Sequence, residues 1–234
     1  MTDCVVTSNE ATISGGGGWF SSYLNTATIT DTVFSDNLAD DKGGGLAWNG
    51  VSWGTLTPSG VELSGNLAIS GGGAAFFEGG PVTATDLDVH DNIAAEGGGL
   101  YIKSQTVTMS SSDVYDNEAD ESGGVYLESS GVLGLTGSGV YGNLSAGTTG
   151  GIALSNSSLT CTGSTTSSTQ GVFGNDAAGG VYQISMDALS TVVGSACDLQ
   201  DPSTLGDGDL YNGGDSSVYS YGLDASFSCD SSGC

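Results

Sequence analysis

Positive charge is almost absent from this 234-residue sequence. It contains two lysines, no arginine and one histidine against 27 acidic residues, which gives a net charge of −25. A surface without a basic patch cannot grip phosphate groups, so nucleic acid and anionic membrane surfaces are excluded as partners. No apolar stretch approaches the roughly 18 residues of a spanning helix, so membrane insertion is not expected either.

The five cysteines lack the spacing and the histidine partners of a zinc site. Cys161 with Cys197, and Cys229 with Cys234, are candidate disulfide pairs, which leaves Cys4 as the odd thiol. Cys4 is either a buried free thiol or a bridge between subunits. Disulfides and an acidic surface favour an extracellular or cell-surface location. The polar N-terminal residues show no signal peptide, as expected of a processed or truncated chain.

A unit built on asparagine and glycine recurs seven times along the chain. Each unit has an apolar residue, two variable residues, an asparagine, a short polar gap, a glycine run and an alternating apolar strand. The asparagines, 25 to 32 residues apart, are Asn9, Asn37, Asn66, Asn92, Asn117, Asn143 and Asn175. The glycine runs occupy residues 15–18, 43–45, 71–73, 97–99, 123–124, 150–151 and 179–180. This register favours a solenoid over an antiparallel sandwich with glycine-rich hairpins.

Each unit supplies about three short strands. Alternation after the glycine run, as in Leu100 to Lys103, predicts a strand with one buried face. A second inward column precedes the asparagines, and a third strand lies at segments such as 27–30. Strands of this length joined by glycine turns predict one coil of a parallel β-helix per unit. We expect about seven coils in residues 1–185 and an irregular, cysteine-containing cap in 186–234. The asparagines should form a structural ladder of stacked amides, each tolerating a left-handed backbone.

The segments Phe34-Ser35-Asp36-Asn37 and Gly72-Gly73-Ala74 resemble known repeats. They are similar to the FxxN and GGA[ILV] repeats of chlamydial polymorphic outer membrane proteins and, more broadly, of bacterial right-handed β-helix repeat proteins. The likeness spans residues 1 to about 185, although most units carry Val or Leu where that motif has Phe. The resemblance implies an all-β, right-handed parallel β-helix and a surface or secreted role.

Enzymatic activity is not expected. A resemblance to pectate-lyase-like folds would imply a Lys or Arg base with calcium, yet Lys42 and Lys103 lie outside any basic cluster. Polygalacturonase-like enzymes use several aspartates with a histidine, an arginine and a lysine. Here Asp40-Asp41 is the one adjacent aspartate pair, and His90 has no glycine neighbours. No catalytic residue is therefore assigned.

Two columns of aromatic residues are candidate interaction faces. Alignment on the glycine runs gives a solvent-facing column of Phe20, Ala47, Ala75, Tyr101, Tyr126, Ala153 and Tyr182. Alignment on the asparagines gives a second column of His90, Tyr115, Tyr141 and Phe173. Such columns can stack sugar rings or pack against another rod, or they stabilise adjacent strands by contacts between coils.

Columns of acidic residues suggest calcium. Asp91 and Asp116 occupy the same position on consecutive coils, as do Glu96 and Glu121, so like charges lie roughly 5 Å apart. Calcium, a hard cation that prefers oxygen ligands, can relieve this repulsion. A second candidate site in the tail contains Asp207, Asp209 and Asp215. The alternative is a solvated acidic surface.

The leading hypothesis is a non-enzymatic extracellular structural or adhesive β-solenoid. An uncapped first coil would allow head-to-tail self-association, and lateral packing is a further possibility. The alternative is a protein that binds or cleaves polysaccharide. Ice binding ranks third, because the run Thr26, Thr28, Thr30 does not recur along the sequence as a threonine ladder.

Overall fold

The computed structural model describes residues 1–21, 26–50, 54–147, 149–162, 171–178, 183–187, 189–195 and 210–212. The strands in this part of the chain, in order, are β1 (Val5–Thr7), β2 (Glu10–Ala11), β3 (Gly18–Phe20), β4 (Thr26–Ser35), β5 (Leu38–Ala39), β6 (Leu46–Asn49), β7 (Thr55–Ser64), β8 (Leu67–Ala68), β9 (Ala75–Glu78), β10 (Val82–His90), β11 (Ile93–Glu96), β12 (Leu100–Lys103), β13 (Thr106–Ser110), β14 (Asp113–Tyr115), β15 (Glu118–Glu121), β16 (Val125–Glu128), β17 (Val132–Thr136), β18 (Gly139–Tyr141), β19 (Leu144–Ser145), β20 (Ile152–Ser155), β21 (Ser158–Thr162), β22 (Gly171–Phe173), β23 (Asp176–Ala177), β24 (Ile184–Met186), β25 (Thr191–Ser195) and β26 (Leu210–Asn212). The described residues contain no helix that is long and apolar enough to cross a membrane.

The strands form three parallel sheets, and each coil contributes to all three. The first sheet runs β1, β4, β7, β10, β13, β17, β21, β25, with β14, β18 and β22 continuing its second half. The second sheet runs β2, β5, β8, β11, β15, β19, β23, and the third runs from β3 through β6, β9, β12, β16, β20 and β24 to β26. The chain is thus an all-β parallel solenoid of about six turns, and the predicted parallel β-helix is confirmed.

Alternating apolar side chains fill the interior of the solenoid. The predicted second inward column is confirmed, because the structure pairs its members in register: Val6, Phe34, Leu63, Val89, Val114, Val140 and Val172. On the third sheet, Trp48, Phe77 and Ile102 form an equivalent column. All of these side chains except the partly buried Val6 are fully buried, and each fully buried one contributes about 1.5–3 kcal/mol of hydrophobic stabilisation. On the first sheet, the alternate positions of the same strands point outward.

The corner before each ladder asparagine is left-handed, but the asparagine itself is not. The positive φ belongs to the preceding residue, as at Asp36 (54°), Asp91 (56°) and Asp116 (52°). Glycine takes this position in other coils, including Gly65 and Gly142. The expectation that asparagine supplies the left-handed backbone is therefore wrong. The asparagine is selected for its amide, and Asp or Gly for the backbone conformation.

A second left-handed residue bends the first sheet in the middle of each long strand. In β4, β7 and β10 this residue is Asp31 (φ 47°), Gly60 (63°) and Asp86 (51°). In later coils, Ser111 and Gly137 hold the same corner and separate β13 from β14 and β17 from β18. The first sheet therefore presents two distinct outer faces, one on each side of the bend.

The stack continues past residue 185. Strand β25 pairs with β21, and β26 pairs with β24, both in parallel. These strands lie in the segment 186–234 that the sequence predicts as a cap. Apart from residues 186, 187, 189 and 190, the rest of that segment lies outside the described residues, so the cap stays a prediction.

Candidate functional site

A continuous ladder of asparagine side chains runs inside the solenoid, as the repeat predicts. The Oδ1 atom of each asparagine accepts hydrogen bonds from the backbone N–H and the Nδ2 of the asparagine one coil earlier. From Asn92 to Asn117 these distances are 3.1 Å and 2.9 Å, and from Asn117 to Asn143 they are again 3.1 Å and 2.9 Å. Asn37 through Asn175 are at most 1% exposed. The ladder supplies hydrogen-bond partners to buried backbone groups at a corner of the coil, where the sheets cannot supply them.

Each ladder asparagine from Asn37 to Asn175 also donates an Nδ2 hydrogen bond to a backbone carbonyl of the inward column. Asn117, for example, donates to the carbonyl of Val89 one coil earlier at 3.0 Å. Gln183 ends the ladder: its Oε1 accepts from the backbone N–H of Asn175 at 3.1 Å and from its Nδ2 at 2.7 Å. The Nε2 of Gln183 returns a hydrogen bond to the Asn175 carbonyl. At the other end, the Oδ1 of Asn9 accepts no hydrogen bond from any described residue.

Beyond the bend of the first sheet, four aromatic rings form a stacked column on the outer surface. His90 and Tyr115 lie 5.0 Å apart between ring centroids, Tyr115 and Tyr141 lie 5.3 Å apart, and Tyr141 and Phe173 lie 5.2 Å apart. The interplanar angles are 16°, 6° and 11°. The predicted column is thus present. Because each inner ring is sandwiched between its neighbours, the faces that would stack on a sugar are already occupied.

A column of carboxylates lies two residues before these rings. Glu62, Asp88 and Asp113 are paired in register on three consecutive coils. We call the carboxylates and the stacked rings together the aromatic-acid face. Burial raises the pKa of the Asp113 carboxyl, the backbone N–H of Gly139 opposes this, and Asp88 adds to the increase. The Oδ1 of Asp88 is buried and has no hydrogen-bond partner among the described residues.

His90, the sole histidine of the chain, lies within this cluster. Its Nδ1 is 2.7 Å from the Oδ2 of Asp91, and its Nε2 is 3.6 Å from the Oε1 of Glu62. Burial and the nearby Asp88 carboxylate raise the pKa of the Tyr115 hydroxyl. The arrangement combines paired carboxylates with an imidazole, the chemical groups that acid-base catalysis uses.

Glu62, Asp88 and Asp113 were not predicted from the sequence. The acidic columns that the sequence predicts, Asp91 with Asp116 and Glu96 with Glu121, occupy other positions of the coil. A signal was present nonetheless. The triplets Asp88-Val89-His90 and Asp113-Val114-Tyr115 repeat an acid, an inward valine and an outward ring at the same coil position.

The proposed calcium pair, Asp91 and Asp116, occupies the left-handed corner of consecutive coils. Glycines flank the pair, and a Cβ added at Gly142 would come within 2.7 Å of the Oδ1 of Asp116. Among the described residues, no group of three or more His, Cys, Asp or Glu side chains is arranged to hold a metal ion. Asp207, Asp209 and Asp215 lie outside the described residues, so calcium binding stays a prediction.

The aromatic column on the third sheet differs from the predicted one in register. The residues paired across the coils are Trp19, Ala47, Phe76, Tyr101, Tyr126 and Ala153. Phe20 instead pairs with Trp48, and Ala75 pairs with Leu46 and Leu100, so the prediction for them is wrong. The register of each strand is set by the left-handed residue four positions before the outward residue, such as Gly15 or Gly72. It is not set by the end of the glycine run. A slip of one residue moves a side chain to the opposite face of the strand. Tyr182 lies outside the described residues.

This column is also not solvent-facing at its centre. Phe76 and Tyr101 are 4% and 3% exposed, and their rings meet edge to face at 5.3 Å. The Nζ of Lys42 lies 4.8 Å and 4.7 Å from the centroids of these rings. Burial is the main cause that raises the pKa of the Tyr101 hydroxyl, and the Glu128 carboxylate adds to it. Tyr101 is therefore a packing residue.

The second lysine of the chain lies on the same face. The Nζ of Lys103 is 3.0 Å from the Oε1 of Glu128. Hydrogen bonds from Tyr101 and Lys103 outweigh burial and lower the pKa of the Glu128 carboxyl. Because both lysines of the chain are engaged on the third sheet, neither lies on the aromatic-acid face.

The cysteines are only partly described. Cys161 is buried in β21 and is disulfide-bonded. Cys4 has a free thiol, half-buried, whose Sγ donates to the Thr2 carbonyl at 3.2 Å. Cys197, Cys229 and Cys234 lie outside the described residues. The predicted pairings and the bridge between subunits through Cys4 stay predictions.

Comparison with protein families identifies this architecture. The model of the family described as "right handed beta helix region" matches residues 1–166, which is more than two thirds of the chain. Comparison with curated proteins and with solved structures finds no match. This family includes pectate-lyase-like enzymes as well as proteins without activity, and its fold is consistent with surface or polysaccharide-related proteins. The match and the parallel coils together show that the chain belongs to the right-handed β-helix family.

Proposed function

We propose that this chain is a non-enzymatic, extracellular β-solenoid that acts as a structural or adhesive rod. The observation that carries the proposal is the stack of His90, Tyr115, Tyr141 and Phe173. Its ring faces are used for contacts between coils, at 5.0 to 5.3 Å between centroids. An aromatic surface that bound sugars would keep ring faces open. These rings stabilise the rod instead.

The first coil supports self-association of such rods. Strands β1, β2 and β3 each pair on one side only within the described residues. The exposed Val5 and Ile13, 71% and 68% accessible, lie on this coil. The Oδ1 of Asn9 is an acceptor that another coil can use. Open strand edges with apolar side chains are the usual sites of β-augmentation.

Self-association is testable by light scattering and electron microscopy of the purified chain. The variant Val5→Lys places a charge at the open edge and should reduce end-to-end assembly. Ile69→Lys is the matched control, because Ile69 is 60% exposed on the side of the rod and the substitution adds the same charge. Non-reducing electrophoresis then shows whether Cys4 links subunits. A wild-type chain that stays monomeric at all concentrations would contradict assembly.

Polysaccharide binding or cleavage is the second candidate. It is favoured by the aromatic-acid face, where Asp88 has a buried oxygen without a partner and Asp113 has a raised pKa. A carboxylic acid beside a carboxylate is the pair that hydrolyses glycosidic bonds. The position of Lys42 and Lys103 argues against catalysis on a uronate, because both side chains contact the third sheet and leave no lysine on the aromatic-acid face.

An assay of reducing-end release separates these two functions. The chain is incubated with neutral and uronate polysaccharides, and we expect no release above that of Asp88→Asn. Asp40→Asn serves as a control for the loss of one surface charge. Release by the wild-type chain that Asp88→Asn abolishes and Asp40→Asn retains would overturn the non-enzymatic proposal.

A further inference from the structure

Hydroxyl side chains cover the outer face of the first sheet before its bend. One column contains Thr28, Thr57, Thr83, Thr108, Gly134 and Thr160. The neighbouring column contains Thr30, Ser59, Thr85, Ser110, Thr136 and Thr162. We call these two columns the threonine face. Eleven of its twelve positions carry a hydroxyl group. The expectation that the threonine run does not recur as a ladder is therefore wrong, because the ladder forms between stacked coils.

The hydroxyls are held in place by bonds between coils. Thr57 donates to the Oγ1 of Thr28 at 3.2 Å, and Thr108 donates to the Oγ1 of Thr83 at 3.4 Å. In the second column, the hydroxyls of Thr85 and Ser110 are 3.2 Å apart. Threonine is also stiff about χ1 because it is branched at Cβ. The threonine face is therefore an ordered array in the absence of a ligand.

Charge is excluded from this face. No Asp, Glu, Lys, Arg or His lies in the six strand segments that form it, although the whole chain carries a net charge of −25. These segments are residues 26–30, 55–59, 82–85, 106–110, 132–136 and 158–162. Acidic residues begin at the bend, with Asp31 and Asp86. No aromatic side chain lies in the segments either, so the face lacks both ion-pairing groups and platforms for sugar rings.

The array is regular in two directions. Adjacent strands of a sheet are about 4.8 Å apart, and alternate residues along one strand are about 6.7 Å apart. Equivalent positions on neighbouring strands and alternate positions along one strand therefore repeat at two fixed distances, while the bonded hydroxyl oxygens of adjacent coils lie 3.2–3.4 Å apart. The inward residues beneath, including Leu56, Val82 and Val107, are at most 1% exposed and keep the layer rigid.

We propose that the threonine face binds ice. The hydroxyls hold an ordered layer of water, and the threonine methyl groups fit between those waters. A neutral crystal suits a face from which charge is excluded, whereas a soluble glycan or a protein would be selected by amide, charged or aromatic groups. The ligand is thus the surface of crystalline water. This proposal does not depend on whether the rod is structural or enzymatic.

Thermal hysteresis and the incorporation of fluorescently labelled chain into a growing ice crystal test the proposal. The wild-type chain should show both. Thr108→Tyr, at the centre of the first column, should lose most of the hysteresis, because the ring lifts the crystal off the array. Thr108→Val separates the hydroxyl from the methyl contribution. Ser35→Tyr lies on the same sheet beyond the bend and should retain wild-type activity.

Gly134→Thr is the complementary gain-of-function variant. An added Cβ there meets its nearest neighbour, a methyl carbon of Thr108, at 3.5 Å, an ordinary contact. The variant fills the one gap between Thr28 and Thr160 in the first column and should increase hysteresis above wild type. Melting curves of every variant verify that the solenoid remains folded.

Three results would overturn the proposal. The first is a folded wild-type chain without hysteresis and without incorporation into ice. The second is an equal loss of activity in Thr108→Tyr and Ser35→Tyr. The third is binding to crystalline chitin or cellulose, but not to ice, since that would assign the face to a crystalline polysaccharide.

Discussion

Replacing Asn117 by leucine should destabilise the rod far more than replacing Asn9. Asn117 is fully buried in the middle of the ladder. Its Oδ1 accepts from the backbone N–H of Asn92 at 3.1 Å and from the Asn92 Nδ2 at 2.9 Å. Its Nδ2 donates to the carbonyls of Val89 and Tyr115. Leucine has a similar size but supplies none of these four hydrogen bonds.

The expected magnitude follows from the groups left without partners. The buried backbone N–H of Asn92 loses its hydrogen-bond acceptor. The side-chain amide of Asn92 loses one of its several acceptors. A buried polar group without a partner costs about 1–3 kcal/mol, so Asn117→Leu should lower the free energy of unfolding by about 2–4 kcal/mol. At Asn9, which is exposed and whose Oδ1 accepts nothing from the described residues, the loss should be below about 1 kcal/mol.

Urea unfolding monitored by circular dichroism measures both variants. A lower midpoint with an unchanged slope identifies a loss of stability rather than a change in the surface exposed on unfolding. Asn9→Leu is the matched control, since it makes the same substitution at the same coil position. Equal midpoints for the two variants would refute the idea that the buried amides stabilise the solenoid.

Three further predictions concern packing, pH and calcium. Gly71→Ala should destabilise the chain by about 1–3 kcal/mol, because its Cβ would meet the ring of Tyr101; thermal melting measures this. The folded pKa of Asp113 is raised, so its contribution favours the folded state at acid pH and is lost as pH rises through that pKa; Asp113→Asn should flatten the dependence of melting temperature on pH. If Asp91 and Asp116 bind calcium, chelation should lower the melting temperature and calcium should restore it.

Each of these predictions has a control. Gly134→Ala meets nothing closer than 3.5 Å and should be tolerated, so equal destabilisation would argue against a clash at Gly71. Asp40→Asn removes an exposed charge, and an equal effect on the pH profile would show that general repulsion, not Asp113, is responsible. Sodium chloride at matched ionic strength should not replace calcium, since screening alone would otherwise explain the rescue.

Sequence periodicity alone predicted the solenoid. The recurring asparagine, the glycine run and the alternating strand each report a local requirement: an amide at the corner, a backbone that turns, and one buried side. These requirements repeat in every coil, so a single chain shows them several times over. The ladder from Asn9 to Asn175 and the inward column from Val6 to Val172 could therefore be identified from residue spacing alone.

Register on the third sheet required the tertiary structure. The sequence aligns Phe20 with Ala47, but the structure aligns Trp19 with Ala47. The glycine runs differ in length between coils, so their ends mark no fixed position. The left-handed residue four positions earlier, such as Gly15, Gly72 or Ser122, fixes which side chain points outward.

The surface faces were likewise decided by stacking. Asp88 and Asp113 are 25 residues apart in sequence yet pair across adjacent coils, and the same holds for Thr83 and Thr108. The outward residues of one coil are spread over three sheets, while equivalent residues of successive coils lie about 4.8 Å apart. The sequence therefore determined the coil, and the contacts between coils determined which residues form a surface.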